Sequence, residues 1–307
     1  MPARPPSGAP ETVSVIMPTL ARPQRADTLR AAIASVVSQA GVRAVPLVVV
    51  NGDQFDPSLV EELSRRADLR VARVGPADLP GALRAGRDLV DARWFCELDD
   101  DDLLLPGTLA ERLALIDGHP KFDVVVSNGI VRGHAGDHLL LDGVDRLAAD
   151  PLSALAQMSW LSPGGALFRT EAAPRELFDN LPRYLEWTSL ALRLARRCRI
   201  AFLDRAGFVH RDDSPDSLWL SRECALGLPA AIRSLLDDEL PSELQRALER
   251  RLAGACHDAA RAELQGGRRR AAWGWHLRSL GGRHGWRYLS YTRRLLAATL
   301  SPAAGAR

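Results

Sequence analysis

Apolar runs and amphipathic stretches alternate over the first 128 residues. Residues 13–17 (VSVIM) form an unbroken apolar run, a strand candidate that Pro18 stops. Over 25–39, Leu29, Ile33 and Val36 or Val37 recur at helical spacing. The runs at 46–50 (PLVVV), 69–74 (LRVARV), 94–98 (WFCEL) and 122–128 (FDVVVSN) predict four more strands. Residues 57–67, 79–92 and 106–118 predict the helices between them, the last two with Pro80 and Pro106 in their first turns. Strands alternating with helices predict a parallel sheet covered on both faces. Ligands in such sheets bind at the carboxyl ends of the strands.

After residue 128 the pattern changes. Residues 129–143 read as a hairpin or loop excursion, 150–160 as a helix, and 164–170 as a short strand behind a Gly-Gly turn. A helix is predicted over 183–197, then strands at 198–204 and 207–214, and only helices from about 222 onward. The expected organisation is a proline-rich disordered tail (1–11), a first α/β half (12–128), a second half of the same domain (129–221) and a helical C-terminal extension (222–307).

Composition narrows the reading only slightly. The apolar fraction of 46% is ordinary, and a formal charge of +2 gives no reason to expect nucleic acid. Cys96, Cys198, Cys224 and Cys256 are far apart, with no C-x-x-C pair, so reduced thiols in a cytoplasmic protein are expected. The first residues lack the apolar core of a signal peptide, and no run of eighteen apolar residues predicts a membrane span.

The candidate chemistry sits in WFCELDDDDLLL (94–105), where Asp99, Asp100, Asp101 and Asp102 follow the fourth strand. Were the strand to persist to 101, Asp99 and Asp101 would point the same way. Paired carboxylates make a hard-oxygen site for Mg²⁺ or Mn²⁺, which leaves positions open for substrate phosphates. The other reading is a solvated loop with Asp101 or Asp102 capping the next helix; a position at the functional edge of an α/β sheet favours the metal. P-loop, dinucleotide-fingerprint and EF-hand patterns are all absent.

The stretches VSVIMPTLARPQRADTLRAAIASVVSQ, LVVVNGD and LPGALRAGRDLVDARWFCELDDDDLLLPGTL resemble the nucleotide-binding half of glycosyltransferase family 2, and GGALFR, EWTSLALRLA and GFVHRDDSPDSL extend the likeness to about residue 220. The resemblance implies a GT-A fold and inverting transfer of a sugar from a nucleoside diphosphate, a UDP-sugar foremost, to a hydroxyl acceptor. That acceptor would be a surface glycan or a lipid-linked glycan of cell-envelope polysaccharide biosynthesis. It implies Asp99 and Asp101 as the Asp-x-Asp pair, with Asp101 on Mn²⁺ or Mg²⁺ and Asp99 on the ion or the ribose. Asp100, beside the nucleotide, and Asp102 would be supporting or capping groups, and His210 would be a further metal or diphosphate contact. Pro18 and Thr19 would face the base and ribose, and Arg84 the diphosphate.

Asn51, Gly52 and Asp53 stand where the family commonly has Asp-Asp-Gly. Asn51 offers both a donor and an acceptor to a pyrimidine edge, and Asp53 could serve from a shifted position. Where the family's general base precedes a Trp, this chain has Glu186 before Trp187, and acids also favour a helix start. Gly164, Gly165 and Trp187 are the candidate acceptor contacts. Two other readings stay open: a GT-A-like binder of nucleotide sugars or glycans without turnover, and a sugar nucleotidyltransferase, for which PTLARPQRAD lacks the phosphate-binding glycines.

The C-terminal segment is distinctive. After Glu263 there is no acidic residue, while 266–300 carries eight arginines among Trp273, Trp275, Trp286, Tyr288 and Tyr291. Such interleaving suits peripheral contact through 268–294 with the inner face of the plasma membrane, a helical cap that packs its tryptophans onto the first domain, or self-association.

Overall fold

In a computed structural model of the chain, the described residues are 10–75, 77–133, 136–212 and 221–300. Most of the expected tail (1–9) and part of the stretch after His210 (213–220) lie outside them.

Strand β1 (Thr12–Thr19) leads to helix α1 (Ala26–Val37), β2 (Arg43–Asn51), α2 (Pro57–Ser64), β3 (Arg70–Val74), α3 (Leu79–Asp88) and β4 (Trp94–Glu97). Then come β5 (Leu103–Leu104), α4 (Thr108–Gly118), β6 (Val124–Gly133), β7 (Gly136–Leu139), α5 (Val144–Ala149), α6 (Pro151–Ala154), β8 (Ala166–Arg169), α7 (Glu186–Arg197) and β9 (Ile200–Arg211). The remainder is helical: α8 (Arg222–Leu236), α9 (Ser242–Gln265), α10 (Arg269–Gly281) and α11 (Leu289–Leu300). No helix among the described residues is long and apolar enough to cross a membrane.

The strands form one sheet in the order β3-β2-β1-β4-β8-β6-β9-β5, with β7 hairpinned onto β6. The β3-β2-β1-β4 stretch is parallel, β8 runs antiparallel to both β4 and β6, and β6 and β9 are parallel. Side-chain alternation splits the strands between two helix layers. Val13, Val15, Met17, Val48, Val50 and Cys96 share one buried cluster with Leu29 and Ile33 of α1, Leu59 and Leu63 of α2 and Leu109 of α4. On the other face Ile16 and Val49 meet α3 at Gly86. A Cβ there would stand 2.3 Å from the Ile16 side chain, so glycine is what lets α3 approach.

Several sequence expectations are corrected. Pro18 does not stop β1, which pairs with β2 through Pro18↔Val49 and Thr19↔Val50. The Ile16 carbonyl bonds toward β4, accepting from the Leu98 N–H at 2.9 Å. Two residues on, Pro18 turns its missing donor to the same side, where β4 has already ended, so no ladder bond is lost. Strand four ends at Glu97 and does not reach 101. Helix α4 starts at Thr108 behind Gly107, with β5 intervening, so the aspartates do not cap it. The helix expected over 150–160 is only α6, preceded by α5. The strands expected at 198–204 and 207–214 are one strand, β9, whose ladder to β6 shifts register around Asn128.

The chain divides into two compact units. One comprises Met1–Leu155, Ser159–Leu181 and Glu186–Ser214; the other comprises Pro215–Arg307 with Ala156–Met158 and Pro182–Leu185. The second contains α8–α11, with Ala260, Ala272, Tyr291 and Leu295 at a small core against which Trp273 and Trp275 pack. All four cysteines are free thiols.

Candidate active site

The carboxyl ends of β1, β2 and β4 carry Thr19, Asn51 and Glu97 to one edge of the sheet. The chain leaves β4 and turns tightly over Asp99–Asp102, closed by the Asp102 N–H donating to the Asp99 carbonyl at 3.2 Å. A turn fans its side chains in several directions, so each aspartate acquires its own surroundings.

Asp100 accepts from the Thr19 hydroxyl at 2.6 Å and pairs with the Arg25 guanidinium at 3.1 Å. Asp101 takes the other prong of Arg25 at 2.7 Å. Arg25 ends a single 3₁₀ turn, Pro23–Arg25, just before α1. Burial works against its charge, but the carboxylates of Asp100, Asp101 and Asp99 outweigh that and raise its pKa. Asp102, fully buried, meets His210 Nδ1 at 3.0 Å and accepts the Arg211 N–H at 3.0 Å. The bond to Asp102 raises the His210 pKa against burial. For Asp100 and Asp102 burial prevails, and both sit above the ordinary carboxylate range despite their partners.

Two carboxyls have no such partner. Burial first, then repulsion from Asp102, Asp101, Asp100 and Glu97, pushes Asp99 well above its ordinary value. Glu97 is buried with both oxygens free of hydrogen bonds, and burial pushes it up to about 8 against the pull of Arg87. An unpartnered carboxyl in a buried place is costly to keep charged, so Glu97, fully buried, and Asp99, half-buried and crowded by its neighbours, favour the protonated form until a cation arrives.

The other expected residues have varied surroundings. Asn51 is buried, and its Oδ1 accepts the Asp78 N–H at 2.7 Å. That bond uses one of the two Oδ1 lone pairs and leaves the other, with the Nδ2 hydrogens, for a ligand. Asp53 is exposed just beyond it. Arg84 pairs through Nε with Asp179 at 2.7 Å. Gly164 lies in a turn at φ +72°, its N–H donating to the Glu97 carbonyl at 2.6 Å. At that φ a side chain is strained, and a Cβ would also stand 3.1 Å from Leu98 and Phe208, so the turn itself accounts for the glycine. Gly165 donates to the Ser162 carbonyl at 3.0 Å. The fully buried Arg112 holds this turn, donating to the Gly164 carbonyl and, at 2.6 Å, to Ser127 Oγ. Glu186 is buried at the first position of α7, and Trp187 beside it is half-buried.

Sequence reasoning missed Arg25, Glu97, the Asp102–His210 pair and Arg112. Arg25 had a signal: four adjacent acids need a cation, and the loop after β1 ends at the same edge. Arg112 had none, since an arginine inside an amphipathic helix reads as a surface residue.

Among the described residues no group of three or more His, Cys, Asp or Glu side chains forms a ready metal cage. A divalent ion carried by phosphates needs fewer protein donors. The donor set fits one: Asp99 is a hard-oxygen ligand with no cation of its own, and Asp101 is its neighbour on the turn. His210 is held through Nδ1 by a carboxylate, as metal-binding imidazoles usually are.

Comparison with known proteins bears on the family and the fold. The family model described as glycosyl transferase family 2 matches residues 14–171. No curated protein sequence matches the chain. Among solved structures, S. aureus TarS 1–349 is 17% identical with a TM-score of 0.54, over 82% of this chain and 80% of that one. TarS 1–349 in complex with UDP-GlcNAc gives the same identity and TM-score over 80% and 72%. The mannosyltransferase PcManGT from Pyrobaculum calidifontis, in complex with GDP-Man and Mn²⁺, is 16% identical with a TM-score of 0.51, over 96% and 87%. At these identities the structures speak to a shared GT-A fold. The family match spans more than half of the 307 residues, and the chain belongs to glycosyl transferase family 2.

Proposed function

We propose that this chain transfers a sugar, with inversion, from a nucleoside diphosphate sugar to a hydroxyl of a surface glycan or glycolipid, using Mn²⁺ or Mg²⁺. The observation that carries the reading is the Asp99–Asp102 turn, where three carboxylates have partners and Asp99 does not. Asp99 and Asp101, with His210, would hold the ion. A divalent ion there stabilises the charge that develops on the diphosphate leaving group.

The chain's own residues do the rest. Thr19 and Asp100, bonded to each other, form the floor beside the ribose. The Asn51 Nδ2 donor suits a base carbonyl, which a uracil supplies. Arg84, steadied by Asp179, keeps guanidinium N–H groups for a phosphate oxygen. Asp102 fixes the His210 ring. Glu186, at the start of α7, takes the proton of the acceptor hydroxyl as it attacks the anomeric carbon. The nucleotide sugars bound by TarS and PcManGT support the donor class, and the Mn²⁺ of PcManGT supports the ion.

The test is calorimetric titration of UDP, GDP, TDP and CDP, with and without Mn²⁺, into wild type and Asp101→Asn. The expected result is Mn²⁺-dependent binding of one nucleotide that the variant loses. No metal-dependent binding of any of them would overturn the proposal. Binding without turnover of any matching sugar nucleotide would leave a non-catalytic binder.

A further inference from the structure

The helices of the second unit have an outward face that nothing in that unit covers. Of the seven large hydrophobic side chains exposed among the described residues, five fall between 277 and 300: Leu277, Trp286, Leu289, Leu296 and Leu300. On α11 their spacing is informative. Leu289, Leu296 and Leu300 are seven and four residues apart, which at 100° per residue puts them on one stripe. Tyr291 and Leu295, which are buried, lie on the opposite side and pack into the small core with Ala260 and Ala272. Helix α11 is therefore apolar on two faces, and only one is used for packing. Trp286 is 69% exposed and Leu300 82%.

Charge accompanies this face. No acid occurs after Glu263. Arg268 pairs with Glu263 and Arg283 with Glu249, but Arg269, Arg270, Arg278, Arg287, Arg293 and Arg294 have no ion-pair partner among the described residues. Arg293 lies one turn from Leu289, beside the leucine stripe.

We infer that the α10–α11 face of this unit docks on an anionic lipid surface, the leucine stripe and Trp286 entering the headgroup boundary and the arginines meeting lipid phosphates. Arginines alone would suit any polyanion; the leucines specify one with an apolar layer beneath its charges. A second copy of the chain fits poorly, because a two-fold contact through this face would set arginines against arginines. The face is peripheral, as no described helix can span a bilayer.

The test is flotation of the full chain with phosphatidylcholine vesicles, with and without phosphatidylglycerol. Binding is expected only with the anionic lipid and is expected to weaken as salt rises. Leu289→Gln with Leu296→Gln should weaken it by about tenfold or more. Arg293→Ala, beside the stripe, should weaken it about fivefold, whereas Arg294→Ala, about 140° round α11 from the stripe, should weaken it less. These positions are exposed, and unchanged circular dichroism would show that the variants fold. Tryptophan emission should shift to the blue on vesicles in the wild type and less so in Trp286→Phe, which isolates the contribution of Trp286 among the seven tryptophans. No binding to anionic vesicles overturns the inference. So does binding that survives the leucine substitutions but not the arginine ones, which marks a plain polyanion site. So does a wild-type dimer that the leucine substitutions turn into monomer without affecting vesicles. None of these readings needs turnover, so they stand apart from the transferase proposal.

Discussion

The acidic edge of the first unit and the helical core of the second both bury ionisable side chains without partners, but of opposite kinds. At the edge it is the carboxyl of Glu97, with the half-buried Asp99 crowded by the aspartates that follow it. In the helices they are imidazoles. His276 is fully buried, bonded through Nε2 to Thr292 at 2.8 Å, with Nδ1 unpartnered. His257 stacks on Tyr288 and meets Tyr291 edge-on, and its Nδ1 is unpartnered as well. Burial lowers both imidazole pKa values. A neutral imidazole among tyrosines is a stable packing element. A crowd of carboxyls is not, and an incoming cation relieves it. The same feature, a buried group without a partner, sits among crowded carboxyls in one region and among aromatic rings in the other.

The sharpest way to break this contrast is Asp99→Asn. Turnover should fall by about a hundredfold or more, since an ion ligand acts on the charge that develops in the transition state. The melting temperature of the ligand-free protein should hold or rise, because a repelled carboxyl is gone. A drop in stability with activity retained would make Asp99 a structural residue.

A smaller effect separates the helices. His257 and His276 have folded pKa values below their ordinary 6.5. The unfolded chain therefore binds more protons near and below that value, and their contribution, complete above it, is lost as pH falls through it. Asp258 opposes this at His257, while Arg261 and His276 reinforce it. Hydrogen-exchange protection in α9–α11, referred to the intrinsic rate at each pH, should fall between about pH 7 and about pH 5. In a His257→Phe, His276→Phe variant that change should flatten; an unaltered pH profile would mean the imidazoles are not what loosens the unit.

The smallest expected effect is Arg30→Ala. Arg30 grips Glu62 through two bonds, but on the exposed outer face of α1 and α2. Stability should barely move and turnover not at all. A larger loss would show that an exposed pair can matter as much as the buried ones.

The sequence made some of this legible and hid the rest for a physical reason. Hydrophobic period is local, so it located β1 to β4, α1 to α4 and the edge where Asp99–Asp102 emerge. Partnership is not local. Arg25 reaches Asp101 across 76 residues and His210 reaches Asp102 across 108. Periodicity also misread the end of β1, because a proline is tolerated wherever its neighbouring strand has stopped. It could not foresee that the Asp78 N–H, 27 residues on, occupies one lone pair of Asn51 Oδ1.

The long reach of those partners has a kinetic side. Four aspartates are neighbours from the moment the chain is made, but Thr19 and Arg25 come to them from far upstream, and His210 and Arg211 arrive only when β9, the last strand of the sheet, has docked. Until then the turn is bare charge in a chain trying to collapse, and closing such distant contacts is slow. The acidic turn is thus among the last places to settle, and added salt, by screening it, should speed folding before it changes anything in the finished protein.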